Sequence, residues 1–550
     1  MTQPPFARAR AGVLWATAVA ALLASRSVCA GDAPLHQRID ETIAAGKPDS
    51  AKHVSGPASD AEFLRRVYLD LTGAVPPAAD ARAFLKNAAA DKRQALIDRL
   101  LASAEFARHM ALVFDVMLME RRPDKHVPRA QWHEYLRASF ADNKPWDQLV
   151  REILSADGVD PKQRPAAKFY LDRDGDPNTL VRDVSRLFLG MNLQCAQCHD
   201  HPRVEEYKQD YYYGLFAFLN RSSVLVDPRL KMAILAEKAD GEVTYQSVFD
   251  PAKVTKSATP HVLDLAAVKE PALEKGQEYS VPPVPDVRPV PRYSRRAQLA
   301  GQITAGENSA FRRNAANRVW AVGMGRGLIH PLDMDHPLNP PSDPALLTLL
   351  ADDFAARKYD IKGFLKEILL SEAYQRSSEL PAGVKEADPT GLTMALLKPL
   401  SPEQLALSLM QATGYTDAER AALGDKLTEA ALYAKLAPQV PAFVAVFASP
   451  AGKAQTYDAR LDQALFLANG SLVRGWLAPR TGNLTDRLGK LEDADALAEE
   501  LYLSVFSRFP TAEEKKDVND FLTKHAKDRG AAIQELAWAL LTSAEFRFNH

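Results

Sequence analysis

The sequence predicts a mainly α protein in which two helical domains are joined by a small β-containing, proline-rich segment. Apolar residues recur at helical spacing in the first part of the chain, as in residues 61–72. Between residues 222 and 293 that period fades, prolines and valines increase, and residues 243–249 alternate as a strand does. The helical pattern returns from residue 294 and continues to residue 550.

Residues 1–30 are typical of an export signal. Arg8 and Arg10 precede an apolar run at residues 11–24, which is short for a membrane span. The small residues at 28–30 predict cleavage before Gly31, and an uncleaved anchor is the alternative. We therefore expect a periplasmic or cell-surface protein that is not transmembrane after signal cleavage.

The first predicted domain, residues 31–221, is helical, and its helices are separated by glycine and proline. Its helices are predicted at residues 61–72, 78–85, 91–102, 105–120, 131–140, 146–155, 179–189 and 210–219.

The segment 222–293 is predicted to be a β-containing, proline-rich insert and linker that is exposed to solvent. The second helical domain follows at residues 294–550. Its helices are predicted at residues 294–304, 310–322, 344–357, 361–371, 402–413, 462–469 and 494–507.

A short motif recurs where helices meet. Ser103–Phe106 and Ser543–Phe546 share the order Ser-Ala-Glu-Phe, and Ser371–Tyr374 is a partial third copy. A serine before a helix is a preferred N-cap, and the aromatic ring can fill the core. We interpret the repeat as a packing unit without chemistry.

The strongest chemical signal is Cys195-Ala196-Gln197-Cys198-His199, the attachment signature of c-type haem. Two thiols three residues apart can reach the two vinyl groups of one porphyrin, and His199 then offers a nitrogen to the iron. The predicted cofactor is one covalent haem c per chain, bound by Cys195, Cys198, His199 and His201. His199 is the predicted metal ligand, and His201 is a pocket residue beside it.

Three other interpretations of the motif stay open. The cysteines could form a redox disulfide, could bind zinc together with His199 and His201, or could be inert. The sixth iron ligand is not evident, and its distant candidates are His109, His133, His336, Met110 and Met334.

Other side chains near the motif could contact a porphyrin. Arg182 and Arg186 could pair with haem propionates, and Tyr211, Tyr212 and Tyr213 could pack on the ring. A solvated helix face and an aromatic core are the alternatives.

These segments resemble two known families. Residues 61–220 resemble the planctomycete cytochrome-C domain family, and residues 294–550 resemble its usual partner, the planctomycete surface-type domain. The matching pieces are residues 65–73, 143–146, 188–190 and 195–202 in the first, and 317–320, 325–328, 339–344 and 543–550 in the second. The resemblance implies an exported or surface protein with a cytochrome-like motif, in families whose function is unknown.

The composition and charge of the chain argue against one class of partner. The formal net charge of −2 and the dispersed charged residues argue against a nucleic-acid partner. The leading hypothesis is an exported c-type haem protein in electron transfer, with a redox protein as its partner. One alternative is a haem-dependent oxidoreductase acting on a small or carbohydrate-derived substrate, so enzyme activity is left open. The other alternative is a surface structural protein whose motif binds no haem.

Overall fold

The computed structural model describes residues 33–46, 54–229, 231–381, 383–449 and 460–550. Helices account for 56% and strands for 7%, so the predicted mainly α class is confirmed. The predicted export signal at residues 1–30 lies outside the described residues. Leu35–His550 forms one unit, and the predicted domain boundaries at 221 and 293 stay predictions.

The first group of helices precedes the strands. These helices are α1 (Leu35–Gly46), α2 (Asp60–Thr72), α3 (Ala78–Lys86), α4 (Lys92–Leu101), α5 (Ala104–Met119), α6 (Arg129–Ala141), α7 (Trp146–Ser155), α8 (Lys168–Leu171), α9 (Pro177–Phe188) and α10 (Gln209–Leu219). Short 3₁₀ helices lie at Arg164–Ala167 and Leu193–Gln197. The helices predicted in this region agree with the observed ones to within two residues at each end.

The strands are short and pair in antiparallel twos. They are β1 (Ser222–Asp227), β2 (Met232–Glu237), β3 (Val243–Tyr245), β4 (Lys256–Ala258), β5 (Tyr279–Val281), β6 (Val290–Pro291), β7 (Lys398–Pro399) and β8 (Phe548–Asn549). The pairs are β1 with β2, β3 with β4, β5 with β6, and β7 with β8.

The second group of helices begins at Arg295. These helices are α11 (Arg295–Ile303), α12 (Ser309–Met324), α13 (Pro344–Ala356), α14 (Ile361–Leu370), α15 (Glu372–Gln375), α16 (Pro402–Ala412), α17 (Tyr415–Leu423), α18 (Glu429–Leu436), α19 (Val440–Phe447), α20 (Leu461–Asn469), α21 (Ser471–Leu477), α22 (Leu484–Gly489), α23 (Ala494–Phe506), α24 (Ala512–Lys524), α25 (Arg529–Leu541) and α26 (Ala544–Arg547). Further 3₁₀ turns lie at Gly424–Lys426, Ala437–Gln439 and Ala526–Asp528.

One helical stretch in the described part of the chain, Glu429–Phe447, has the length and apolar composition of a membrane-crossing segment. It comprises α18, α19 and the 3₁₀ turn between them. Leu432, Leu436 and Phe443 from this stretch are buried among the helices that follow β7. A core helix of a soluble protein passes the same test of length and composition.

The recurring serine motif forms the predicted capped junction in all three copies. The hydroxyls of Ser103, Ser371 and Ser543 accept hydrogen bonds from the backbone N–H three residues later, at 3.1, 3.3 and 3.4 Å. The aromatic side chains that close the motifs, Phe106, Tyr374 and Phe546, are buried. The prediction of a cap followed by a core ring is therefore confirmed.

The first part of the segment 222–293 contributes to the core, so the expectation of an exposed linker is wrong there, whereas residues 263–293 are all exposed or half-buried, as expected. Ala233 and Leu235 on β2, together with Val262, are buried in the same cluster as the first group of helices. The carbonyl of Ala233 accepts a hydrogen bond from buried Arg164 at 2.9 Å. The β1–β2 hairpin thus buries the apolar residues of β2, a strand that the sequence did not predict.

Two buried arginines connect α2 to distant parts of the chain. Arg65 donates to the carbonyls of Val505 and Phe546, at 3.1 and 2.8 Å. Arg66 donates to the carbonyl of Tyr374 at 2.6 Å. Both side chains are almost fully buried, so these bonds replace the water that the guanidinium groups lose.

Asp70, also on α2, gathers a further set of partners. Its carboxylate lies 2.6 Å from Nζ of Lys398 and accepts hydrogen bonds from Tyr374 and Asn549, at 2.9 and 2.8 Å. Lys398 also donates to the carbonyl of Gly323 at 2.9 Å. Burial raises the pKa of Asp70, and the Lys398 cation opposes that shift.

His109 lies beneath the glycine that ends α2. Gly73 has a positive φ of 73°, and any side chain at this position would collide with the ring of His109. Burial, together with the nearby cations of Arg108 and Lys398, lowers the pKa of His109 to about 3. The native protein therefore holds this imidazole neutral.

We predict that Asp70→Asn destabilises the protein strongly. The substitution removes the anion that compensates buried Lys398, and breaking a buried pair in this way costs about 3–5 kcal/mol. Urea unfolding measures the change in the free energy of unfolding. The matched control is Asp98→Asn, which removes a partly exposed pair with Lys366 and should cost no more than about 1 kcal/mol. Equal effects of the two substitutions would contradict the assignment.

We predict that the free energy of unfolding falls as the pH drops below the ordinary histidine pKa of 6.5. The unfolded state then binds a proton at His109 that the native state does not accept until about pH 3. The slope from this group approaches about 1.4 kcal/mol per pH unit. His109→Gln should make the pH dependence shallower, because the group that the native state keeps neutral is then absent. An unchanged slope in His109→Gln would refute the prediction.

Candidate functional site

The cysteine motif follows a tight turn at the end of α9. Gly190 has a φ of 71°, and its carbonyl accepts a hydrogen bond from the backbone N–H of Asp335 at 2.9 Å. Two residues of the following 3₁₀ helix, Leu193 and Ala196, are fully buried. These contacts fix the short helix that carries the motif.

The two thiols are exposed on one face of this helix. Cys195 lies in the 3₁₀ helix Leu193–Gln197, and Cys198 caps its C-terminal end. Side chains at positions i and i+3 of a 3₁₀ helix lie one above the other. Both cysteines are free and exposed to solvent, so a single flat molecule could approach both sulfur atoms.

His199 presents a free ring nitrogen. Its Nδ1 lies 2.6 Å from the backbone carbonyl of Asp200. A carbonyl oxygen can only accept, so Nδ1 carries the hydrogen and Nε2 of the neutral ring keeps its lone pair. This hydrogen-bond partner therefore leaves Nε2 of His199 with a lone pair that can accept a proton or a metal ion.

His201 has the opposite tautomer. Its Nδ1 accepts hydrogen bonds from the backbone N–H groups of Arg203 and Val204, at 3.2 and 3.0 Å. Nε2 of the neutral ring then carries the hydrogen and has no lone pair to offer. Burial lowers the pKa of His201, with further contributions from His336, His199 and Arg203. This arrangement suits the predicted pocket role for His201.

One aromatic ring separates His201 from a histidine of the second half of the chain. The ring of Tyr207 makes edge contacts with His201 and His336, at centroid distances of 5.8 and 5.5 Å. Both nitrogen atoms of His336 are buried without a hydrogen-bond partner among the described residues. The neighbouring Met334 pairs with Met191 through an antiparallel bridge. Two of the distant ligand candidates thus lie close to the motif.

The other distant candidates serve elsewhere. His133 contacts the carboxylate of Asp115 at 2.9 Å, His109 lies beneath Gly73, and Met110 is fully buried. None of these contacts involves the cysteine motif.

An apolar patch of two exposed residues, Val248 and Phe249, lies against the motif. The ring centroids of Phe249 and His199 are 4.4 Å apart, and Val248 donates a backbone hydrogen bond to the carbonyl of Cys198 at 3.0 Å. Val248 is 66% exposed and Phe249 is 72% exposed. The predicted strand at 243–249 ends early, at Tyr245, and Val248 bonds to Cys198 instead of continuing the pairing with β4.

Two regions of the chain match known protein families. Residues 38–224 match PSCyt2, described as a protein of unknown function (DUF1549), and residues 295–522 match PSD1, described as a protein of unknown function (DUF1553). The chain contains both planctomycete domains, in that order. No curated protein and no solved structure matches it.

Each part of the chain contributes to the surroundings of the motif. The PSCyt2 domain holds the cysteines, His199 and His201, and the PSD1 domain brings Met334 and His336 against them. The segment between the two domains supplies Val248 and Phe249, which were not predicted from the sequence to lie at the site. The available signal was the pair of adjacent apolar side chains at the end of an alternating run. Successive side chains of a strand point to opposite faces, so one of the two must face solvent.

The nearby arginines and tyrosines already have partners within the protein. Arg186 pairs with Glu120 at 3.0 Å and with Asp333 at 2.6 Å, and Arg182 pairs with Asp183. Tyr213 stacks on Tyr245 with a centroid distance of 4.3 Å. These contacts favour structural roles for the residues that could have contacted a porphyrin.

The donor set of the PSCyt2 domain fits a c-type haem. Two thiols share one exposed face, a histidine nitrogen with a free lone pair follows at once, and an exposed apolar pair lies beside that histidine. The fit to zinc is poorer because His201 has its hydrogen on Nε2. Among the described residues, no group of three or more His, Cys, Asp or Glu side chains is arranged to hold a metal ion.

Proposed function

We propose that this protein is an exported c-type haem protein that transfers electrons to or from a redox partner protein. One haem would be held by thioether bonds from Cys195 and Cys198, with His199 as the axial iron ligand. The bound group would supply a one-electron couple at its iron. The observation that carries the proposal is the free Nε2 lone pair of His199 beside two exposed thiols on one face.

The protein's own residues would perform three tasks at this site. The carbonyl of Asp200 would hold the His199 ring in the tautomer that leaves Nε2 free. Val248 and Phe249, whose side chains are now exposed to water, would pack against the apolar face of the bound group. The exposure of both thiols would keep the group near the surface, within reach of a partner protein.

The number of cysteines supports export together with haem attachment. The chain has three cysteines, and cleavage before Gly31 would remove Cys29 with the signal. The exported chain would then carry only the two motif thiols, so no other disulfide could form in an oxidising compartment.

We predict that haem stays on the denatured polypeptide when the protein is expressed with a c-type maturation system. Peroxidase staining of a denaturing gel should detect it, because thioether bonds survive denaturation. Replacing both Cys195 and Cys198 by Ser should abolish the stain, whereas Cys29→Ser should retain it. A haem-free product from a host that matures a control cytochrome would refute the proposal.

We predict that His199→Ala and His201→Ala affect the spectrum differently. Loss of His199 removes the axial nitrogen and should change the visible spectrum at an unchanged covalent haem content, while His201→Ala should retain axial ligation. Equal spectra for the two variants would overturn the assignment of His199. In the unsubstituted protein, a low-spin six-coordinate iron supports electron transfer. A high-spin iron that binds added small ligands would instead support the oxidoreductase.

We predict that protein purified from the native host begins at or near Gly31 and lies outside the cytoplasm. We expect this because the apolar run at residues 11–24 and the small residues before Gly31 are typical of a cleaved export signal. N-terminal sequencing of the protein from cell fractions measures it. Retention of Met1 would contradict cleavage.

A further inference from the structure

A large cavity lies between α5, α12 and the loop at residues 325–334. Its volume is about 660 Å³, within the range of small-molecule sites. Val113, Val116 and Met117 line one side, at the i, i+3 and i+4 positions of α5. Ala321 and Val322 of α12 line another side. The lining of the cavity is therefore mainly apolar, and these five side chains of α5 and α12 are only half-buried.

Two guanidinium groups in this cavity have no carboxylate partner in the described part of the chain. Arg318 is buried, and its Nε and Nη2 bond Asn314 and the carbonyl of Arg186, at 3.0 and 2.7 Å. Its Nη1 has no hydrogen-bond partner among the described residues. Arg326 forms no ion pair within the ranges described.

The lining of the cavity carries four arginines against two carboxylates, so its formal charge is positive. Glu120 and Asp333 share Arg186, Glu120 also contacts Arg122, and Arg121 pairs with Glu403. Arg318 and Arg326 are the two arginines of the lining that form no ion pair within the described residues, and the carboxylates of Asp333 and Glu120 lie near enough to attract Arg318. Burial lowers the pKa of Arg318 to about 10, which still leaves it charged at neutral pH.

The turn that carries Arg326 has a fixed course. Gly325 has a φ of 79°, and a side chain there would collide with Lys398. A side chain at Gly327 would collide with the carbonyl of Ile329 and with Leu332. Arg326 also borders a second cavity of about 30 Å³, which has room for little more than a water molecule. Only the larger cavity can hold an organic ligand beside this arginine.

We propose that the larger cavity binds a small organic anion with an apolar body, such as an alkyl or aryl carboxylate. Arg318 and Arg326 would bind the carboxylate, and the side chains of α5 and α12 would cover the hydrocarbon. Charge-assisted bonds from guanidinium to carboxylate are among the strongest in proteins. This site is independent of haem attachment and needs neither cysteine.

The test uses the purified full chain and the fluorescent probe 8-anilinonaphthalene-1-sulfonate, which has an aromatic body and one negative charge. Octanoate should displace the probe with an apparent Kd at least tenfold lower than that of 1-octanol, which has the same chain length without the charge. Equal displacement by the two would overturn the proposal, because an apolar cavity alone would explain it.

Variants locate the site and separate charge from shape. Arg326→Gln should weaken octanoate binding about tenfold without changing 1-octanol binding, as expected for one lost charge-assisted bond. The matched control is Arg312→Gln, on the helix α12 that precedes Arg326; Arg312 is paired with Asp352, and this variant should bind octanoate normally. Ala321→Trp should fill the cavity and abolish probe binding. Equal octanoate affinity in the two arginine variants, or full probe binding in Ala321→Trp, would refute the site.

Discussion

The rest of the fold depends on the compensation of one buried carboxylate, that of Asp70. Removing this charge from water costs several kcal/mol unless partners replace the water. The partners come from α15, β7 and β8, and Lys398 extends the network to the end of α12. On the same helix, Leu69 packs in one hydrophobic cluster and Leu71 in another. The position of α2 therefore determines how both clusters meet.

Much of this fold could be predicted from local signals. The helix at residues 146–155 agrees with the prediction at both ends, because Pro145 precedes its first turn and its apolar stripe is regular. The β1–β2 hairpin was missed because its burial depends on Arg164 and on helices far away in sequence. The Asp70 network was equally inaccessible, since Asn549 lies 479 residues from Asp70 and no spacing rule relates them.

At the candidate site, the sequence identified the reactive side chains but not the tautomers of the histidines or the contacts that surround them. The spacing of Cys195, Cys198 and His199 matches the attachment signature of c-type haem, so the motif alone singled them out as candidates. The tautomers of His199 and His201 depend on which backbone groups face each ring, and only the folded backbone determines that. Phe249 lies 50 residues beyond His199 and contacts it because Val248 pairs with Cys198. No local pattern encodes such a contact.

The stacked arrangement of the two thiols also has a consequence for how the protein is matured. Three residues of a 3₁₀ helix rise about 6 Å, which lies within the Cα separation that a disulfide spans. If the chain is exported as proposed, an oxidant of that compartment would take two electrons from Cys195 and Cys198 and join them in a disulfide. An oxidised pair has no thiol left to form a thioether. Haem loading would thus compete with ring closure, and a dithiol reductant would have to act on the chain first.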